Sequence, residues 1–175
     1  MESKITQFLT TPGSFLRPND PAPFEFLNPS ASSQLLLICD HASRAVPQSL
    51  GQLGLSPEQF DHHIAYDIGA EPITRILSDT LNARAILAGF SRLVIDVNRP
   101  PSHPQSVLEI SDGIDIPANR KICKTNLDRR ISLLFDPYHQ AIADSLAHLW
   151  SRGPAPILFQ SIASRLILRI KSDPG

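Results

Sequence analysis

Three groups of polar residues stand where an α/β protein could do chemistry. The first, Asp40-His41-Ala42-Ser43-Arg44, follows directly on the apolar run Leu35-Leu36-Leu37-Ile38-Cys39. An imidazole just past a buried strand is held on rigid backbone, which suits a metal ligand or a general base. A loop histidine that closes a strand end has the same local sequence. The second group is Asp61-His62-His63-Ile64-Ala65-Tyr66-Asp67-Ile68-Gly69-Ala70. His63 and Asp67 share one face if the segment is helical. Such a pair can bind a divalent metal, or the carboxylate can orient the imidazole; a surface pair followed by a helix cap reads equally well. The third group is Ser91-Arg92 and Asp96-Val97-Asn98-Arg99-Pro100, on either side of an apolar run. Guanidinium forks pair bidentately with carboxylates, so Arg92 and Arg99 suit a dicarboxylate substrate, and they equally suit surface ion pairs.

Two further stretches carry weaker signals. Ile116-Pro117-Ala118-Asn119 could present an amide to a ligand, although Asn is also a common helix N-cap. Pro137-Tyr138-His139 could bring an aromatic ring and an imidazole to the site, or mark a helix kink and core positions. Cys39 lies in an apolar run and reads as a small buried hydrophobe, and Cys123 has no histidine at motif spacing. There is no glycine-rich phosphate loop and no paired Cys-x-x-Cys.

The elements that must position these residues alternate. Residues 35–39 read as a strand buried on both faces. Ser56-Pro57-Glu58 is a helix start, and the segment to about Tyr66 reads as helical. Ile73, Ile76, Leu77, Thr80 and Leu81 recur at helical spacing and predict an amphipathic helix. Residues 85–88 and 93–97 read as two more strands. Residues 98–118, with four prolines, form a long loop. Residues 119–150 are helical, with a break or kink at Pro137, and residues 156–159 form another strand. Strands alternating with helices predict an α/β fold with a mostly parallel or mixed sheet flanked by helices.

Length and composition narrow the classes. A chain of 175 residues with 42% hydrophobic content fits one globular domain. Residues 1–33, rich in Pro, Ser and Asn, read as an irregular lead-in, and residues 34–175 as the single domain. The formal net charge of -1 offers no basic excess for nucleic acid or an anionic membrane. Two cysteines are too few for a disulfide framework. The start lacks a signal peptide's basic and apolar regions, and no apolar run approaches the roughly 20 residues of a membrane span. A cytoplasmic location is therefore expected.

Taken in order, the motifs are more specific than any one alone. Asp40-His41-Ala42-Ser43, His63-Ile64-Ala65-Tyr66-Asp67-Ile68-Gly69-Ala70, residues 91–100, Ile116-Pro117-Ala118-Asn119 and Pro137-Tyr138-His139 closely resemble the N-formylglutamate amidohydrolase family over roughly residues 35–160. The resemblance implies a fold like that of zinc-dependent carboxypeptidases and aspartoacylases. It implies zinc-dependent hydrolysis of a small N-acyl amino acid, with N-formyl-L-glutamate giving formate and L-glutamate in histidine degradation. By the same carry-over, His41 and Asp67 look like metal ligands, and Arg92, Arg99 and Asn119 look like substrate contacts. His63 and His139 are candidates for the general acid that protonates the leaving amine, as is a group outside this chain.

One stretch departs from the family pattern. After the last predicted strand the family carries Ser-Ile/Val-His-Ser-Phe-Thr-Pro, whose His resembles a further metal ligand. Here Gln160-Ser161-Ile162-Ala163-Ser164-Arg165 places Ala163 at that position, the Phe-Thr-Pro is absent, and the chain ends soon after. The expectation is a fold incomplete at its C-terminus, with an unpaired apolar sheet edge, poor zinc binding and negligible hydrolysis. A catalytically inactive, carboxylate-binding protein that keeps the fold is the alternative.

Overall fold

The computed structural model describes residues 14–60, 63–162 and 165–170, with the backbone alone for Ile162 and 165–170. Five strands form a mixed sheet in the order β1-β3-β2-β6-β7. They are β1 (Phe24–Leu27), β2 (Leu35–Cys39), β3 (Arg84–Ala88), β6 (Ile157–Ile162) and β7 (Arg165–Ile170); β4 (Ile110–Ser111) and β5 (Ile114–Asp115) form a separate hairpin. β2 lies parallel to both β3 and β6, whereas β1 and β7 pair antiparallel at the two edges.

The continuous apolar sequence of the parallel strands follows from their burial on both faces. Leu36, Ile38, Ile86 and Ala88 face α4 (Asp136–Arg152), where they meet Tyr138, Ile142 and Leu149. Leu37, Cys39, Ala85 and Leu87 face α2 (Ala70–Thr80). A third apolar cluster, which includes Phe60, Ile64, Phe90, Leu93, Val94 and Ile116, fills the space beneath the long loops.

Several elements differ from the sequence-based expectation, each for a physical reason. Residues 24–27 of the expected lead-in form β1 and close one sheet edge. Of the helix expected over residues 56–66, the described residues show α1 (Pro57–Phe60) as helical and residues 63–65 as a turn. The predicted helix over 119–150 starts later, with α3 (Lys124–Arg130), and Pro137 does not break it. A π-helical turn, Ile131–Phe135, joins α3 to α4 through an Asp136 amide that donates to the Ile131 carbonyl. Pro137 then falls in the first turn of α4, where a missing N–H is tolerated. On α2 the apolar stripe is not the buried one. Ala70, Thr74 and Ser78 pack inward, while Ile73 and Ile76 are 51% and 63% exposed. Small side chains allow closer approach to the sheet, and Thr74 and Ser78 satisfy their hydroxyls on the carbonyls of Ala70 and Ala83. The apolar edge expected beside β6 is occupied by β7.

The largest departure is residues 93–97, which read as a strand and are instead a buried irregular segment. Buried carbonyls need partners, which a sheet would supply and a turn does not. Here side chains supply them. The Asn119 amide donates to the carbonyls of Leu93 and Leu108, both at 2.8 Å, and Arg130 donates to the Val94 carbonyl at 2.7 Å. Arg130 also donates to the Asn119 side-chain oxygen at 2.8 Å. Burial pushes the Arg130 guanidinium down to about 10. Asn119→Ala would leave these buried groups unpaired and is expected to destabilise the fold by about 2–4 kcal/mol. Chemical denaturation measures this, and an unchanged midpoint would contradict a structural role for Asn119.

Candidate functional site

β2 ends at Cys39, and the next two residues turn into the site. His41 is buried, and both of its ring nitrogens face carboxylates. Nδ1 lies 3.3 Å from Asp67 Oδ2, and Nε2 lies 2.8 Å from Asp96 Oδ1. The Asp67 amide donates to the His41 carbonyl at 3.0 Å, which pins the two segments together. Gly69 then adopts a φ of 87° just before α2, a left-handed conformation that glycine takes without a Cβ penalty.

Asp96 is the most connected group. Its Oδ1 also accepts the Asn98 amide at 3.0 Å, and its Oδ2 takes Arg92 Nη2 at 3.1 Å and Arg99 Nε at 3.4 Å. Arg92 Nη1 lies a further 3.8 Å from Asp67 Oδ1. Burial alone would lower the His41 pKa, but the bonds to Asp67 and Asp96 outweigh it and raise the ring to about 9. Burial would raise Asp96, yet the bond and charge of His41 and the charge of Arg92 hold its carboxyl below the usual value. Without a metal, His41 is therefore an imidazolium clamped by two carboxylates.

Asp40 belongs to a second buried network. Tyr138 donates its hydroxyl to Asp40 Oδ1 at 2.5 Å, and the Gln160 amide donates to Asp40 Oδ2 and, at 2.9 Å, to Asn98 Oδ1. Burial pushes the Asp40 carboxyl above its ordinary value, despite these donors and the charge of His41. The network borders a cleft of about 520 Å³ whose walls include Asn98, Arg99, Phe135, His139 and Gln160. The Arg99 side chain is 38% exposed at this wall.

The structure thus brings His41, Asp67, Arg92 and Arg99 together around Asp96. Arg99 opens to the cleft, whereas the residues lining that cleft do not include His41 or Asp67. The other expected site residues are elsewhere or otherwise engaged. His63 is 70% exposed and bonds Asp112 at 2.5 Å, so the expected helical pairing with Asp67 does not form. His139 reaches the cleft, with its Nε2–H donating to the Val97 carbonyl at 2.8 Å and its ring against Phe135. Asn119 is buried with every amide hydrogen-bonding role taken by Leu93, Leu108 and Arg130, which corrects the expectation that it contacts substrate. Ala163 lies outside the described residues. Asp96, which lies inside the third polar group, and Gln160 carry the site's connectivity, although the sequence assigns neither of them a role. Their only sequence cue is position, at or near the end of an apolar run.

The donor chemistry fits a metal in part. Two ligands about 2.0–2.1 Å from one tetrahedral ion stand about 3.3 Å apart, the separation between His41 Nδ1 and Asp67 Oδ2. Asp96 on the opposite nitrogen is the carboxylate that commonly orients a metal-binding imidazole. One ring cannot offer both nitrogens to one ion, so this trio supplies two ligands and an orienting group. Among the described residues no group of three side chains is arranged to hold a metal.

A family model for N-formylglutamate amidohydrolase matches residues 33–166. The chain belongs to the N-formylglutamate amidohydrolase family. Its fold is shared with a gene product, Atu2144, from Agrobacterium tumefaciens, with a TM-score of 0.82 and 32% identity over 85% of this chain and 59% of that one. An N-formylglutamate amidohydrolase from Ralstonia eutropha JMP134 matches with a TM-score of 0.59 and 21% identity over 79% of this chain and 57% of that one, a likeness of fold. The chain thus spans less than three-fifths of the length of either neighbour. No curated protein matches it. Among the described residues no helix is long and apolar enough to cross a membrane.

The clamp on His41 has a pH signature. Its folded pKa of about 9 lies above the ordinary 6.5, so the folded state holds the extra proton between those values. The stabilisation is complete below about pH 6.5 and is lost as pH rises through about 9, on the order of 3 kcal/mol in all. Denaturation of the metal-free chain should show this fall, and Asp96→Asn should flatten it. An equal slope in both proteins would contradict the clamp.

Proposed function

We propose that this site belongs to a metal-dependent hydrolase of N-acyl amino acids, with N-formyl-L-glutamate as substrate and formate and L-glutamate as products. The observation that carries the reading is the His41–Asp67 pair with Asp96 behind the ring, in a chain of this family. His41 Nδ1 and Asp67 would hold a zinc-type ion. Such an ion, when bound, supplies Lewis acidity that polarises the formyl carbonyl and makes water nucleophilic near neutral pH.

The chain's own residues do the rest. Asp96 fixes the His41 ring, so that Nδ1 rather than Nε2 is presented to the ion. Arg99 bonds Asp96 only through Nε, which leaves the terminal nitrogens of its fork for a substrate carboxylate at the cleft wall. Arg92 spans Asp67 and Asp96 and acts first as their counter-ion. The cleft volume is in the range of small-molecule sites and accommodates a formylated amino acid. His139, with Nε2–H committed to the Val97 carbonyl, keeps Nδ1 to take the proton of the attacking water and pass it to the leaving amine. The exposed pair of His63 with Asp112 makes it the weaker candidate for that proton. We place the reaction in the cytoplasm, at the end of histidine degradation, on family grounds alone.

A second reading is favoured by two observations. The described residues offer two metal donors where catalytic zinc commonly has three, and Ala163 stands where the family carries His. A protein that binds N-acyl amino acids through Arg99 without turning them over would look the same.

Formate release from N-formyl-L-glutamate, with added zinc and after chelation, separates the two. We expect slow, zinc-dependent release that Ala163→His increases and His41→Ala abolishes. Release insensitive to chelator and to His41→Ala would contradict the hydrolytic reading. Calorimetric binding of N-formyl-L-glutamate without turnover, even in Ala163→His, would establish the second. Arg99→Lys keeps the charge and loses the fork, so we expect substrate affinity or KM to worsen about tenfold with kcat little changed. An unchanged KM would assign Arg99 to structure.

A further inference from the structure

β2 and β3 run parallel with Leu36 opposite Arg84, so Arg84, the first residue of β3, lies at the sheet end away from His41. Its position alternates with Ile86 and Ala88, which face α4. The residue is only 8% exposed. Phe26 of β1 covers the guanidinium, with the ring centroid 5.9 Å from its central carbon. From α4, His148 Nε2 accepts a hydrogen bond from Arg84 Nη2 at 2.9 Å. A guanidinium has donors and no acceptor, so that imidazole nitrogen carries no proton. Arg84 Nε is buried without a partner.

A second cation stands beside this pair. Arg152 lies one turn beyond His148 in the last turn of α4. Burial, and then the Arg152 charge, lower the Arg84 pKa. The charges of Arg84 and Arg152 likewise hold His148 below its ordinary value. Among the described residues no carboxylate pairs with Arg84. Asp144, one turn before His148, takes the Gln140 amide at 2.7 Å. The carbonyl end of a helix favours cations, which accounts for Arg152 at the surface. It does not account for Arg84, whose charge is partly withdrawn from water, whose Nε is buried without a partner and which has no counter-ion among the described residues. Among the described residues the polar side chain that meets Arg84 is a neutral ring, a weaker partner for a guanidinium than a carboxylate.

We propose that Arg84 and Arg152, with His148 between them, form a second site that binds a small oxyanion. The exposed His148 ring occupies the donor that the anion takes, and it turns aside on binding. The Arg84 fork then gains the charge-assisted bonds it lacks, and Arg152 closes the anion from the helix side. This site is independent of the cleft beside Arg99.

Calorimetric titration of inorganic phosphate at fixed ionic strength tests the site, using the intact chain, Arg84→Gln, Arg152→Gln and Arg99→Gln. We expect one saturable binding event that Arg84→Gln weakens at least tenfold, Arg152→Gln weakens several-fold and Arg99→Gln leaves unchanged. Arg152 is exposed, so its replacement reads the site even if Arg84→Gln fails to fold. Formate titrated in the same way distinguishes a carboxylate from a phosphate preference, and tighter binding of either supports the site. The absence of saturable binding by both anions, or binding that survives the Arg84 and Arg152 substitutions, overturns it.

Discussion

A buried imidazole between two buried carboxylates is the constraint on which the site depends. His41 is fixed by the end of β2, Asp67 by the turn into α2, and Asp96 by the irregular segment after residue 93. None of the three carboxylate or imidazole groups would be tolerated alone at that depth, because an unpaired buried charge is strongly unfavourable. The imidazolium offsets one of the two carboxylate charges, and Arg92 and Arg99 offset the other from the outer side. The same mutual dependence makes the trio suited to a metal. A divalent ion held at Nδ1 would take the place of the proton there, and Asp96 would keep the ring oriented toward it.

The rest of the fold holds the three segments in register. The Asn119 and Arg130 side chains supply the hydrogen bonds that residues 93–94 would otherwise find in a sheet. The Gln160 amide ties β6 to Asp40 and Asn98, and Tyr138 ties α4 to Asp40, so strand, helix and loop meet beside the clamp. The buried polar network is almost fully satisfied, the condition under which such networks rigidify a site.

Much of this was legible in the sequence, and the parts that were not share a cause. The strands read at residues 35–39 and 85–88 are legible because both their faces are buried, the one read at 156–159 because its apolar run is short and bounded by polar residues, and His41 and Asp67 because each sits where such an element ends or begins. Residues 93–97 had the same apolar content, but periodicity cannot distinguish a strand from a turn whose carbonyls are bonded by distant side chains. The resemblance implies a substrate contact for Asn119, whereas its three long-range bonds exist only in the folded chain. Helical spacing pairs His63 with Asp67, and a turn sends it to Asp112 instead. On α2, Ile73 and Ile76 dominated the pattern, but small residues decided which face approaches the sheet. In each case the local signal was overruled by tertiary contacts.

If His41 is the pivot, the cost of binding a metal is the loss of its own proton. Zinc titrated into the metal-free chain near pH 7.5, in buffers of differing ionisation enthalpy, measures that proton directly. We expect about one proton released per ion bound, because the ring titrates at about 9 without metal, and we expect both binding and release to disappear in His41→Gln. Zinc binding that releases no proton, or that persists undiminished in His41→Gln, would contradict the assignment of His41 and Asp67 as the metal-binding pair.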